Sequence, residues 1–424
     1  MQHLILNITV VLKRIHLFRR YEEIASRLII TNSCIILILG LFSIDLYNPA
    51  LPTIKAALNI SNAQAQSLVV WYLGGFAVSQ LVYGPLSDKY GRVPVILLSL
   101  LFSAVGNYLT STADSYQMLS LFRLFTGIGA GGCPVISRAI LSDTFRDKSE
   151  LSKSLAVFSM ASQVSPAFAP VIGGYITEYF PWKYNFIALA LMMLAGFIFV
   201  KITLPETSPR KALPGGRIAG FRILFSDLNF MIYSVVSAVL FAITIGYFTA
   251  SPFVFQTQFH LTSSQNGYLF MIYSAGIVIG SWLTKRCLSR ATPEKILMVS
   301  LPLLVAFTLL ASLSVHFTNV LSIGFIVIYS FAVGLGCGLS SPLLLGISLH
   351  GHAELAGTGS ALQGALKMAG AALVLWFFAS GRTGTASGLL SGLFLLSLIC
   401  LVLIAFAQFW TAQSVHQQSS PDRD

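Results

Sequence analysis

Three ionisable residues stand where ionisable residues are rare. Asp45, Arg123 and Lys367 each interrupt a long apolar run, and a charge in such surroundings is costly enough to mark a function with a partner. The chemistry open to them is proton and ion chemistry. A desolvated aspartate resists ionisation, whereas a neighbouring guanidinium favours the carboxylate. A bound molecule that displaced the arginine, or brought its own charge, would then make Asp45 release or take up a proton. The structural alternative is a fixed Asp45–Arg123 salt bridge that only holds helices together. If those two charges neutralise each other, Lys367 leaves one net positive charge, which disfavours lipophilic cations and favours neutral or anionic cargo. A lysine that merely snorkels or binds a carbonyl is the alternative there. Tyr47, Trp71, Tyr72, Tyr247 and Phe248 are candidates for the apolar walls of the same cavity.

Other patterns carry less. Gly127, Gly129 and Gly132 spell GxGxxG, but no strand precedes them and the surroundings are apolar helix, so close helix contact is expected rather than a dinucleotide. His350, His352 and Glu354 cluster in sequence, yet a metal site needs further ligands held rigidly, and a solvated loop is expected. Cys34, Cys133, Cys287, Cys337 and Cys400 are scattered without a CxxC pair, which points to neither zinc nor a redox couple. No GxxxxGK[ST], HExxH or GxSxG occurs. An enzyme, a metal and a resident cofactor are therefore not expected.

The elements that must position these residues follow from composition. Of 424 residues, 55% are hydrophobic and 10% charged, against about 25% charged in an average soluble domain. Mean hydropathy is +0.78. A soluble enzyme, a disordered scaffold and a secreted disulfide module are excluded. Spanning helices need roughly 20 predominantly apolar residues, and twelve such stretches occur, near 29–50, 65–86, 93–112, 117–141, 151–176, 184–204, 229–254, 265–284, 295–315, 319–348, 355–379 and 386–410. A polar stretch, 205–228, divides them into an N-terminal half (29–204) and a C-terminal half (229–410), with a tail at 411–424.

Positive charge sets the orientation. With a cytoplasmic N-terminus, only Lys55, Lys183 and Arg382 fall outside; Arg27, Lys89, Arg92, Arg138, Lys153, Lys201, Arg222 and Lys285 are among those inside. Both termini are expected in the cytoplasm, and the net charge of +11 reads as topology rather than a nucleic-acid footprint. In residues 1–28, Leu4, Ile8, Val11, Ile15 and Phe18 recur at helical spacing opposite basic residues, which fits either a helix on the inner leaflet or an unstructured extension. At about 1.5 Å per residue, Asp45 lies roughly 24 Å and Lys367 roughly 18 Å from the cytosolic side. Arg123 lies roughly 9 Å below the outer side on the same scale. One shared cavity is expected to hold all three.

An internal repeat supports the division. Gly127, Gly129 and Gly131 are echoed by Gly334, Gly336 and Gly338, Asn48-Pro49 by Ser251-Pro252, and Tyr72 and Gly75 by Tyr273 and Gly276. Two parallel six-helix units are the plan of one large transporter fold.

The loop Gly84-Pro85-Leu86-Ser87-Asp88-Lys89-Tyr90-Gly91-Arg92-Val93-Pro94 makes this specific. Its glycines suit a tight turn, and Asp88 is placed to cap the next helix and pair with Arg92 or Lys89. It resembles the signature loop of the major facilitator superfamily, with Val93 where a second arginine is usual. The resemblance implies that Gly84, Asp88, Lys89, Gly91 and Arg92 gate the conformational switch on the cytoplasmic side. The corresponding loop of the second half, Lys285 to Pro293, lacks the glycines and the acid.

Four further segments are similar to the Bcr/CflA subfamily of drug:proton antiporters: Asp45 to Pro52, Arg138 to Asp143, Ala169 to Gly174, and Ala356 to Gly364. This resemblance runs from about residue 29 to 410. It implies an all-α, twelve-helix protein of the bacterial inner membrane that exports small molecules, drugs and antibiotics included, in exchange for protons, with the proton motive force as energy source. It also implies a monomer in lipid with no nucleic-acid partner. Pro166, Pro170, Gly173 and Gly174 resemble the antiporter motif, in which prolines bend the helix and glycines allow close approach. Arg123 matches the family's fourth-helix arginine, with Phe125-Thr126 where Leu-Gln is commoner, and Asp45 falls on a functional acid. A second acid sometimes present between Ile35 and Leu41 is missing. Lys367 departs from the family pattern, and an exporter of an endogenous anion, such as a polycarboxylate siderophore, is the alternative. A transport-dead sensor on the same fold is a remoter one.

Overall fold

The computed structural model describes residue 24 and residues 26–145, 147–208, 217–318, 322–349, 355–379 and 385–418. The basic amphipathic segment within 1–28 lies mostly outside these residues, as does the cluster of His350, His352 and Glu354. Within the described residues the chain is helical and contains no strand.

Twelve helices are long and apolar enough to cross a membrane. In the N-terminal half they are α1 (Ser26–Leu58), α2 (Asn62–Tyr90), α3 (Arg92–Thr112), α4 (Tyr116–Thr144), α5 (Ser149–Tyr179) and α6 (Lys183–Thr203). The C-terminal half holds α7 (Leu228–Gln258), α8 (Ser263–Cys287), α9 (Pro293–Phe317), α10 (Ile323–Ser348), α11 (Thr358–Phe377) and α12 (Ala386–Trp410). Hydrocarbon offers no partner for a free backbone N–H or C=O, so spanning segments must satisfy those groups internally. Where the chain re-enters, side chains finish the job: Ser61, Ser115, Asp227, Thr262 and Ser322 cap the helices that follow them.

The repeat is visible atom by atom. Ser61 with Gln64 and Thr262 with Gln265 form the same capping box at the starts of α2 and α8. A Cβ on Gly127 would lie 2.1 Å from the Tyr72 carbonyl oxygen, and one on Gly334 would lie 2.1 Å from that of Tyr273. Gly75 and Gly276 press equally closely on Leu124 and Phe331 of the facing helix. The crossing of α2 with α4 is thus rebuilt as α8 with α10, and the two halves are pseudo-symmetric six-helix units.

Two spans are broken rather than straight. Past residue 45 the α1 helix turns through a short 3-10 segment, Asn48–Ala50, and resumes at Leu51–Leu58. Pro49 and Pro52 cannot continue the hydrogen-bond ladder there. In α5 the segments Lys148–Ser162 and Val164–Tyr179 meet at Gln163, where Pro166 withholds the N–H that would bond across the junction.

The expected glycine hairpin between α2 and α3 is not what forms. α2 continues through Gly84 and Pro85 to Tyr90, and Gly91 alone makes the turn, at φ 101°. A side chain is strained at that backbone angle.

The halves meet most closely at the end away from the linker. There the Gln256 side chain donates to the Pro49 carbonyl at 2.8 Å, the Ser264 N–H donates to Glu178 at 3.3 Å, and the hydroxyls of Tyr175 and Tyr268 touch. Pro170 and Gly174 of α5 lie buried against α8 on this side. The same helix face runs on toward the linker-bearing end as Ser159, Ala156 and Ser152, all exposed. The interface is therefore sealed at the far end and open at the linker-bearing end.

Candidate functional site

Asp45 sits at the last helical residue before α1 breaks, so its carboxyl is carried by a helix end rather than a straight span. It is buried, 5% exposed, and Oδ2 accepts a hydrogen bond of 2.7 Å from Ser165 Oγ, just beyond the α5 break. Arg123 is fully buried and takes a different set of neighbours. Its guanidinium lies 4.3 Å from the ring centres of both Tyr47 and Tyr72 and 5.6 Å from that of Phe186. Nη2 donates to the Ser43 carbonyl at 2.8 Å, while Nε and Nη1 have no partner among the described residues. Aromatic faces stabilise a cation by about 2 kcal/mol or more once water is excluded.

The expected Asp45–Arg123 pair is therefore not formed. Among the described residues the ion pairs are Arg92–Asp88, Arg92–Asp143 and Lys183–Asp114; none involves Asp45, Arg123 or Lys367. Lys367 is half-buried on α11, its ammonium 4.8 Å over the Phe241 ring of α7.

The aromatic candidates separate likewise. Tyr47 and Tyr72 are buried within the N-terminal half as walls of the Arg123 box. Tyr247 and Phe248 are buried in the C-terminal half, where Tyr247 stacks on Tyr273 at 4.7 Å and bonds the Ser330 hydroxyl, and Phe248 packs on Phe270 at 4.6 Å. Trp71 is 44% exposed and shares the outward face of α2 with Val78 and Val82. That apolar stripe is a lipid-facing one, so Trp71 is not a wall of an inner cavity here.

At the α2–α3 turn, Arg92 gathers the acids of its half. It pairs with Asp88 at 2.6 Å and Asp143 at 2.7 Å, and donates to Ser87 Oγ at 2.6 Å. Lys89 points outward over the Tyr90 ring. The expected capping of α3 by Asp88 does not occur. Glu206, from the segment after α6, does it instead, accepting from the backbone N–H groups of Arg92 at 2.9 Å and Val93 at 3.1 Å. Partial burial alone would push the Glu206 carboxyl up, but backbone N–H groups of Ser208, Arg92, Val93 and Thr207 outweigh it and hold it below the ordinary glutamate range.

In α5 the two glycines divide their work. A Cβ at Gly173 would fall on the Leu46 carbonyl oxygen of α1, and one at Gly174 would lie 2.4 Å from the Ser263 oxygen of the other half. Ser165, Phe186, Asp143 and Glu206 were not legible as site residues: a serine, a phenylalanine and two acids near helix ends carry no special spacing. Only Asp143, an acid closing a span, offered any signal.

Twelve spans in two like halves, with a buried acid beside a broken helix and an interface closed at one end only, define a multi-pass membrane transporter. The sequence matches the Major Facilitator Superfamily over residues 33–375, and the chain belongs to that superfamily. It is 27% identical over 356 residues to the bicyclomycin resistance protein homolog of Haemophilus influenzae, covering 82% of this chain and 88% of that protein. To the multidrug resistance protein MdtL of Shewanella oneidensis it is 30% identical over 339 residues, covering 78% and 84%. Among solved structures, a bacterial Spinster homolog in an inward-facing, unoccupied conformation superposes with TM-score 0.67 at 15% identity, covering 90% of this chain and 95% of that one. A D-xylose–proton symporter superposes with TM-score 0.71 at 13% identity, covering 90% and 96%.

Proposed function

We propose that this protein is a proton-driven exporter of the bacterial inner membrane, exchanging small molecules, drugs and antibiotics among them, for protons. Both termini lie in the cytoplasm, so the open end of the interface is the cytoplasmic one. The working unit is a monomer, and the proton motive force replaces any cofactor. Asp45 carries this reading: it is a buried carboxyl whose polar contact is a neutral hydroxyl, and protonation leaves that contact's oxygen available. The resistance proteins of Haemophilus and Shewanella named above support the choice of cargo, and the excess of basic residues at the linker-bearing end supports the orientation.

Cargo would enter from the cytoplasm while the Gln256–Pro49 and Glu178–Ser264 contacts hold the far end shut. Asp45 and Ser165 sit on the two broken helices, so a change in the proton on Asp45 alters a contact between α1 and α5. Arg123 stays within its aromatic box and sets the local potential. Rocking of the halves about their shared interface then turns the site to the other side.

The test is proton release in energised everted vesicles challenged with chloramphenicol, lipophilic cations and polycarboxylates. Collapse of the gradient by at least one of these, lost in Asp45→Asn, is the expected result. A response of equal size in the variant, or none to any compound, would sink proton coupling at Asp45.

A further inference from the structure

We propose that the corner between α8 and α9 is a binding surface for an anionic phospholipid, with the phosphate held at the linker-bearing end and the acyl chains laid along the two helices. The proposal goes beyond the exporter reading and does not rest on it.

Four cations gather at this corner. Lys285 and Arg286 lie in the last turn of α8, Arg290 on the turn that follows, and Lys295 in the first turn of α9. All four are exposed, and none makes an ion pair among the described residues. Between Ile279 and Leu303 the sequence holds one acid, the half-buried Glu294. The matching turn of the first half is built the other way. There Asp88 and Asp143 both pair with Arg92, and Glu206 accepts from its backbone N–H. The second half has the cations without those acids, so this corner presents unneutralised positive charge to whatever lies beside it.

Apolar stripes lead into the charge. Ile279, Trp282 and Arg286 are spaced three and four residues apart, which puts them on one helix face. Ile279 and Trp282 are exposed, and the Arg286 guanidinium lies 4.1 Å from the Trp282 ring. The other side of α8 packs on α10, where a Cβ on Gly280 would meet the Leu335 carbonyl and Thr284 donates to the Leu339 carbonyl. In α9 the exposed Lys295, Met298, Val299 and Leu303 share a face, while Leu297, Leu301 and Leu304 are buried on the opposite one. Each exposed stripe therefore runs from apolar residues to a cation at the linker-bearing end.

A phospholipid is the complement in both parts. Its chains cover stripes of this kind, and tryptophan and basic side chains at the end of a lipid-exposed span sit at headgroup depth. A guanidinium binds phosphate through two N–H groups and an ammonium as a point charge. Basic clusters immediately beside a span draw anionic lipid. A soluble phosphate would meet the cations but leave the stripes uncovered, so the occupant is lipid.

The probes are brominated phosphatidylglycerol and brominated phosphatidylcholine, at equal mole fraction, in vesicles reconstituted with the full-length protein. Tryptophan quenching is read, and Trp282→Phe, made in each background, identifies the share that belongs to this corner. The anionic lipid should quench that share at least about threefold more strongly. The preference should fall to near parity in the double variant Arg286→Gln/Arg290→Gln, and keep at least about half its size in Arg286→Lys/Arg290→Lys. Lys201→Gln removes one exposed cation at the same end of the first half and should leave the preference unchanged. Thermal unfolding confirms that each variant is folded. Equal quenching by the two lipids, an unchanged preference in the folded double glutamine variant, or an equal loss in Lys201→Gln would overturn the site. So would abolition of the preference by millimolar inorganic phosphate, which would make the corner a site for a free anion.

Discussion

Where α2 crosses α4, Arg123 lies in a box of Tyr47, Tyr72 and Phe186. Where α8 crosses α10, the repeat puts Ser330 in the place of Arg123, and the hydroxyl of Ser330 meets Tyr247 beside Tyr273, Phe248 and Phe270. By the offset that relates Pro49 to Pro252, Phe248 stands where the first half has Asp45. Glycines, helix caps and the tyrosine at the crossing are kept, while both charges are replaced. The C-terminal half therefore solves the same packing problem without Asp45 or Arg123. That argues against a purely structural role for the charges in the N-terminal half, because the fold demonstrably does not need them at this crossing. It also assigns the halves different work: the first holds a buried acid and a buried guanidinium that the second lacks at the matching positions.

The most severe way to break the comparison is to move a charge across it. Ser330→Arg would bury a guanidinium among aromatic rings that already pack on one another, with no carbonyl placed as Ser43 is for Arg123. An unpaired buried charge costs about 3–5 kcal/mol, and thermal unfolding in detergent should show a loss of that order. A loss under about 1 kcal/mol would mean that the second box accepts a cation as readily as the first, and the contrast between the halves would lose its meaning.

A smaller effect is expected where the halves touch. Gly174→Val would push against the backbone of Ser263, which cannot swing aside as a side chain can. Overpacking of this kind costs roughly 1–3 kcal/mol, and here the strain exists only while the far end is shut. The variant should favour opening there, read as faster labelling of a cysteine at position 268, Tyr268→Cys, by a membrane-impermeant thiol reagent. Labelling no faster than in the Gly174 background would show that the close approach does not control the seal.

What the sequence made legible was depth, and what it hid was direction. The twelve spans follow from hydrocarbon thickness and run length, and the buried acid from its apolar context. Depth alone, however, put Asp45, Arg123 and Lys367 at one level without fixing which way each helix face turns. Azimuth is set by packing, and packing turned Arg123 into an aromatic box of its own half and set Lys367 over Phe241 of α7. Trp71 failed for the same reason: Val78 and Val82, two and three turns along the same face of α2, are exposed as it is. Phe186 is one of 31 phenylalanines, and only the fold selects it.

The mildest test concerns the α2–α3 turn, which also differs between the halves. The first half clamps it with Arg92 and Glu206, whereas the second has Thr292 where the first has Gly91. Glu206→Gln keeps one oxygen but removes the charge facing the α3 N-terminus, a loss of under about 1 kcal/mol for an exposed group. The sign of its pH dependence follows from the backbone donors. The folded carboxyl titrates below the ordinary value of 4.5, so its contribution is complete above that value and is lost as pH falls through the folded one. The stability gap between wild type and variant, measured by thermal unfolding from neutral pH downward, should be constant at first and close below pH 4.5. A gap that persisted unchanged into that acid range would show that the carboxylate's charge does not hold the turn, and that the hydrogen bonds to Arg92 and Val93 act through geometry alone.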